Sequence, residues 1–268
     1  MNKKIAILLV LLTGFTTLFA QNREKRSVNT FSKIAFRIPG KVYVRQGTTQ
    51  SVEIEASKEL LKVIETEVDG STLKIQSPGK WNWRGDERAT VYITVKDLEA
   101  VSVSGSGDLI GETKFVTRDL DLKVSGSGSL KLEIESSGDV EAHVSGSGDL
   151  YLKGKGRNIE SKVSGSGKVI LDMALAGGAD FSISGSGRIE AKGRVKDVRT
   201  SISGSGKVLG ANFEAERCDI RISGSGDVEI HVKEQLDANI SGSGTVAYRG
   251  NPSKVHSAAS GSGKVRKM

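Results

Sequence analysis

From Val101 onward apolar and polar residues alternate in short bursts, and each burst runs into the same four residues, Ser-Gly-Ser-Gly. One, three and five positions before that tetrapeptide stand Val124, Leu122 and Leu120; Val144, Ala142 and Val140; Ile183, Phe181 and Ala179; Ile222, Ile220 and Cys218. Between them lie Asp121, Lys123, Glu141, His143, Lys162, Arg199 and Arg221. Alternation with a period of two predicts strands buried on one face only. Five residues past the first serine an apolar residue returns, as Leu109, Leu130, Leu150, Val169, Ile189, Val208, Val228, Val246 and Val265. A second strand therefore leaves each Ser-Gly-Ser-Gly corner.

The tetrapeptide begins at Ser104, Ser125, Ser145, Ser164, Ser184, Ser203, Ser223, Ser241 and Ser260, at intervals of 18 to 21 residues. A period near twenty with two strands per repeat is the mark of a solenoid whose turns stack, here an all-β parallel β-helix of nine coils. A chain bending between strands needs backbone conformations that residues with a Cβ reach only under strain, which explains a glycine on every lap. Further glycines at Gly111, Gly154, Gly193, Gly210 and Gly250 mark a return bend. At the ordinary strand spacing of about 4.8 Å the coils make a rod roughly 40 Å long. The serines serve the repeat and can form a hydroxyl ladder, because a lone catalytic serine would not recur in every coil.

The first hundred residues follow other patterns. Met1–Lys4 is basic, Ile5–Ala20 is apolar, and Leu18-Phe19-Ala20 precedes a cleavage point, the layout of a secretory signal peptide over residues 1–20. Residues 21–30 are polar and read as a flexible lead. Residues 31–98 form a β-rich cap over the first open edge of the solenoid, which occupies residues 99–268. Within the cap, Ile34, Phe36 and Ile38 lead into a Pro39-Gly40 turn, Ser57 caps a short helix, and Asp69-Gly70 joins two hairpin strands. Lys264, Arg266 and Lys267 at the far end discourage end-to-end pairing.

Loss of the leader lowers the formal net charge from +7 to +5, with both signs spread over outward strand positions. Without an aromatic stacking platform, nucleic acid is not an expected partner. No second apolar run is long enough to span a bilayer. Cys218 is the single cysteine and falls in the inward column, so no internal disulfide can form. The histidines, His143, His231 and His256, sit at outward positions of separate coils, so no zinc cluster or Ser-His-Asp set is visible. The position after each second glycine carries Lys168, Arg188, Lys207 and Lys264 as well as Asp108, Asp149 and Asp227, which argues against a calcium ladder. No metal and no cofactor are expected.

The segments Gly40-Lys41-Val42-Tyr43-Val44-Arg45-Gln46-Gly47, Val52-Glu53-Ile54-Glu55-Ala56 and Val91-Tyr92-Ile93-Thr94-Val95-Lys96-Asp97-Leu98, running into Val101–Leu109, resemble the head GIN domain family of autotransporter adhesins. The resemblance implies an exported, Bacteroidetes-type, right-handed parallel β-helix without established catalytic residues. No alternating membrane-barrel segment follows the ninth coil, a departure from autotransporters that carry their own pore. The expected function is a non-catalytic display or adhesin-like module of the cell envelope, resting in the periplasm, on the outer surface or outside the cell. Its expected partner is an extended envelope or host-surface ligand, polysaccharide or protein. The alternative is a polysaccharide lyase or hydrolase, for which outward carboxylates are plentiful; with near-uniform intervals, however, the walls are expected to be smooth and without a cleft. The candidate binding residues are Trp81, Trp83 and Arg84, aromatic rings beside a cation in the loop Ser77–Arg88.

Overall fold

The structure, a computed structural model, describes residues 22–78 and 88–268. The expected signal peptide and the segment holding Trp81, Trp83 and Arg84 lie outside the described residues. The first part of the chain gives β1 (Asn22–Arg26), β2 (Lys33–Phe36), β3 (Gly40–Gln46), β4 (Ser51–Ala56), α1 (Lys58–Val63), β5 (Glu65–Asp69), β6 (Thr72–Gln76), β7 (Ala89–Val95), β8 (Ala100–Gly105) and β9 (Asp108–Thr117). Beyond these, incoming strands such as Leu120–Gly126, Asp139–Gly146 and Asn158–Gly165 alternate with outgoing strands such as Ser129–Ser136, Asp149–Gly156 and Lys168–Leu175. From Arg188 the two merge into continuous runs, Arg188–Gly204, Lys207–Gly224 and Asp227–Gly242.

Incoming strands pair in parallel with incoming strands, and outgoing with outgoing, so the chain winds as a parallel β-helix. Ser104, Ser125, Ser145 and Ser164 stand in register, as do the glycines that follow them. Between the two walls lie the predicted columns. Val124, Val144, Val163, Ile183, Ile202 and Ile222 oppose Leu130, Leu150, Val169, Ile189, Val208 and Val228, all at most 2% exposed. At about 25 cal/mol per Å² of apolar surface removed from water, such columns are the main term holding each coil to its neighbours.

The two corner glycines answer two different demands. The first of each pair takes φ between +88° and +125°, a region closed to most side chains. The second has an ordinary φ but no room: an added Cβ would lie 2.2 to 2.6 Å from the coil beneath or from the inward side chain beside it. The serines around them face solvent, and among the described residues their hydroxyls bond to nothing. The expected hydroxyl ladder is absent, and the backbone joins the corners instead, as in Ser127 N to Gly105 O at 2.9 Å and Ser147 N to Gly126 O at 2.9 Å. At these largely exposed positions the hydroxyls are open to solvent and need no ladder to satisfy them.

The second glycine set divides. Gly154, Gly193 and Gly250 have positive φ, whereas Gly111 and Gly210 sit where the register slips against the neighbouring strand. These slips take up the unequal repeat lengths.

The polar lead 21–30 was expected to be loose, but Asn22–Arg26 is an edge strand antiparallel to β4. Its side chains hold it: Arg23 Nε meets Glu53 Oε2 at 2.6 Å and Arg26 donates to Leu61 O at 2.6 Å. A strand built from charged pairs leaves no apolar alternation to read.

The cap region also does more than cover an edge. β2 lies parallel between β6 and β8, and β3 parallel between β7 and β9, so the first strands in the chain become the second arch of the stack. The covering itself is done by antiparallel pairs, β5 on β6 on one wall and β1 on β4 on β7 on the other. The helix forms where expected, with the Ser57 hydroxyl accepting from Leu60 N at 3.3 Å.

Two hydroxyls are stranded in the core. Ser161 and Thr200 are buried beside Phe181 in the inward column, and neither oxygen has a hydrogen-bond partner. A buried polar group without a partner costs about 1–3 kcal/mol. Thr200→Val keeps the shape and removes the orphan, so it should raise the melting temperature by a few degrees in a thermal scan. An unchanged or lower value would mean that the hydroxyl has a partner.

Candidate functional site

Outward positions of the incoming wall line up along the rod axis. Asp121, Glu141, Glu160, Asp180, Arg199, Asp219 and Asp237 are successive neighbours in register, six carboxylates in seven coils. Like charges directly opposite destabilise a sheet, so the ladder needs compensation. It comes largely from the same strand two residues on: Lys123 lies 2.5 Å from Asp121, Lys162 pairs with Glu160, and Arg221 lies 2.9 Å from Asp219. At Glu141 the corresponding residue is His143, 3.6 Å away.

Beside this ladder, at the start of the incoming strands, runs a second polar column. Asp119 Oδ1 accepts from Asp139 N, Asn158 reaches back to Asp139 and accepts from Gly178 N, and Arg217 grips Asp197 at 2.7 and 3.0 Å. The Asp139 N–H and then the Arg118 guanidinium hold the Asp119 carboxyl below its ordinary range. Because its folded value is lowered, this group stabilises the fold above the ordinary carboxylate range and loses that effect as the pH falls through the lowered value.

The two columns border an open groove. One stretch, about 620 Å³, runs from Asp139 to Asp237; a second, about 840 Å³, runs from Lys33 to Glu141, and the two share Asp139 and Glu141. The walls are therefore not smooth, contrary to the expectation from the near-constant repeat length. The hollow runs along the starts of the incoming strands without any long loop, with Asp139, Asn158, Gly178, Asp197 and Arg217 among its lining residues.

Beneath the groove Cys218 is 2% exposed, and burial pushes its thiol up to about 12. The nucleophilic thiolate is scarce at such a value. Alkylation by iodoacetamide at pH 8 should therefore be negligible for the folded protein and rapid after denaturation, as read by mass spectrometry; prompt labelling of the folded chain would contradict the burial.

On the opposite wall Tyr43 and Tyr92 stack at 5.7 Å, and the Arg23 guanidinium lies 4.2 Å from the Tyr92 ring centre. Burial, then Glu55, raises the Tyr92 phenol above its ordinary range. Arg45 donates to Thr94 Oγ1 at 3.0 Å, and these residues with Glu53 and Glu112 surround a small cavity of about 190 Å³. The column after the second corner glycines is partly filled by its own contacts, Ser129 with Asp108 at 2.6 Å and Lys207 with Asp227 at 2.8 Å.

Of the residues singled out from the sequence, Trp81, Trp83 and Arg84 lie outside the described residues. Cys218 is where it was expected. What sequence reading missed is the gathering of His143 with Glu141 and Glu160, whose ligand atoms all lie within 4.8 Å of one another. The signal was present: a difference of 19 residues, one coil, separates the two glutamates.

Stacked parallel coils with in-register outward ladders define a parallel β-solenoid. The chain belongs to the family described as putative auto-transporter adhesin, head GIN domain, which matches residues 30–187 and 156–252. Similar crystal structures include that of a putative lipid binding protein from Parabacteroides distasonis ATCC 8503, at 24% identity and a TM-score of 0.71 over 92% of this chain and 96% of that one. A putative adhesin from the same organism shows 21% identity and a TM-score of 0.72 over 92% and 97%. Another putative adhesin, from Parabacteroides merdae ATCC 43184, shows 20% identity and a TM-score of 0.70 over 92% and 96%. At these identities the likeness is one of fold. No curated protein matches the chain. Among the described residues no helix is long and apolar enough to cross a membrane.

Proposed function

We propose that the protein is exported and acts, without catalysis, as an adhesin-like binding module of the cell envelope, its walls engaging an extended polysaccharide or protein. The observation that carries this reading is the groove along the incoming wall, bordered by the same polar columns coil after coil. Many weak, equally spaced contacts add up for a partner that spans them and fail for a short one. The adhesin description of the family and of two of the similar structures supports the same direction.

The polysaccharide-cleaving alternative asks for a carboxylic acid kept protonated near neutral pH. Hydrogen bonds hold the carboxyls of Asp69, Asp119, Glu135 and Glu214 below their ordinary range, so these four do not fit that acid's role.

Length dependence is the test. Purified protein titrated with envelope oligosaccharides or peptides of increasing size should bind more tightly with each added unit until the groove is spanned, and then level off. Equal affinity for monomer and polymer, or release of cleaved product, would defeat the reading. The Trp81–Arg84 segment is tested alongside: Trp81→Ala with Trp83→Ala should weaken polymer binding while leaving the melting temperature unchanged. A lowered melting temperature would assign the rings to packing instead.

A further inference from the structure

We propose that Glu141, His143 and Glu160 hold a divalent transition-metal ion of the zinc class on the incoming wall. Glu141 and His143 lie two residues apart on one strand, and Glu160 is the register neighbour of Glu141 on the next. One imidazole nitrogen and two carboxylate oxygens thus converge, every pair within 4.8 Å. That set suits a borderline ion that accepts both nitrogen and oxygen, and it suits calcium poorly, which wants six to eight oxygens.

Two further observations point to a cation at this place. His143 Nε2 is shielded from solvent and has no hydrogen-bond partner. The nearest carboxylate oxygen, Glu141 Oε2, is 3.6 Å away, too far for a hydrogen bond. A ring nitrogen that is neither hydrated nor bonded is free to offer its lone pair to an ion. The second is the charge pattern of the ladder. Asp121, Glu160 and Asp219 each have a lysine or arginine two residues along, whereas at Glu141 the corresponding residue is His143 and at Asp180 and Asp237 it is Ser182 and Asn239. Glu141 and Glu160 face each other across one strand spacing, where like charges repel and a bound cation would relieve the repulsion.

Lys162 Nζ lies on Glu160 Oε1 and competes for the same carboxylate. With three protein ligands the ion would keep open positions, and two of its ligands, Glu141 and Glu160, also line the groove. The site stands apart from the proposed function, since metal uptake is measured without any adhesion partner.

The test titrates the purified full-length mature chain, first stripped with chelator, with Zn²⁺ alone by calorimetry and with Co²⁺ by visible absorption. One ion per chain is expected, with cobalt d–d bands of a low-coordinate nitrogen and oxygen site. Even outer-shell partners of a metal are worth 10–100-fold in affinity, so His143→Ala should weaken binding by at least about a hundredfold and Glu160→Gln by at least about tenfold. Lys162→Ala should tighten it, and excess Ca²⁺ should not displace the ion. All three side chains are outward, and unchanged circular dichroism verifies folding. In the unaltered protein Co²⁺ should shift or broaden the His143 ring resonances before those of His231 and His256. No uptake, uptake unaffected by His143→Ala, or prior broadening at another histidine would overturn the proposal.

Discussion

Gly148→Ala is expected to lower the unfolding free energy by about 3 kcal/mol or more, while Ser147→Ala, its immediate neighbour, should stay within about 0.5 kcal/mol of the parent. The added Cβ at Gly148 would stand 2.5 Å from Gly128 O and 2.6 Å from Val124 Cγ1. Backbone of the coil beneath closes one side and a core side chain closes the other, so neither can yield without shifting a neighbouring coil. Gly146→Ala should cost a comparable amount for a different reason, since its φ of +107° adds backbone strain of about 1–3 kcal/mol to a contact 2.7 Å from Gly126 O. Urea titrations of the three variants, followed by circular dichroism, make the comparison. A Gly148→Ala midpoint equal to that of Ser147→Ala would show that the corner has slack, and the close stacking of glycine on glycine would have to be abandoned.

Phe181→Ala is the second large loss, expected at about 3–5 kcal/mol. Phe181 is 1% exposed and packs against Phe213 from the other wall, with ring centres 5.9 Å apart. Most inward positions are aliphatic, so this pair fills a stretch of the interior that no neighbouring valine or isoleucine can reach. Its loss opens a cavity bordered by the orphaned hydroxyls of Ser161 and Thr200. Because stacked repeats need not unfold all at once, the slope of the urea transition should be followed as well as its midpoint. A shallower slope would mean that the coils on either side of the cavity part company before the ends melt. A loss below about 1 kcal/mol would mean that the aromatic pair is not a support of the stack.

Much of this molecule was legible from residue order. The alternation before each Ser-Gly-Ser-Gly is local and repeats often enough to be its own control, so Val124, Val144 and Ile183 could be assigned inward without a structure. Cys218 followed from the same column, and Ser57 from the capping pattern before Leu60. The resemblance carried by residues 40–56 and 91–109 pointed to the family that residues 30–187 and 156–252 then matched.

The misreadings of the lead, the cap and the walls share one cause. Asn22–Arg26 is held in place by Arg23 with Glu53 and Arg26 with Leu61 O, partners about thirty residues away. The insertion of β2 and β3 between arches that come later in the chain depends on register with Thr72–Ile75 and Ala89–Val95. The groove forms where the strand starts of adjacent coils are brought side by side. None of these leaves a local pattern, because each depends on which strand lies beside which.

By itself the sequence determined the coil, its period, its two walls and its inward columns, since strand alternation and glycine geometry act within a few residues. Only the tertiary structure decided the order of the first arches, the strand made by the polar lead, and the meeting of Glu141, His143 and Glu160. Those depend on pairing register across a full lap of the chain, and a difference of a single residue would turn each outward side chain inward.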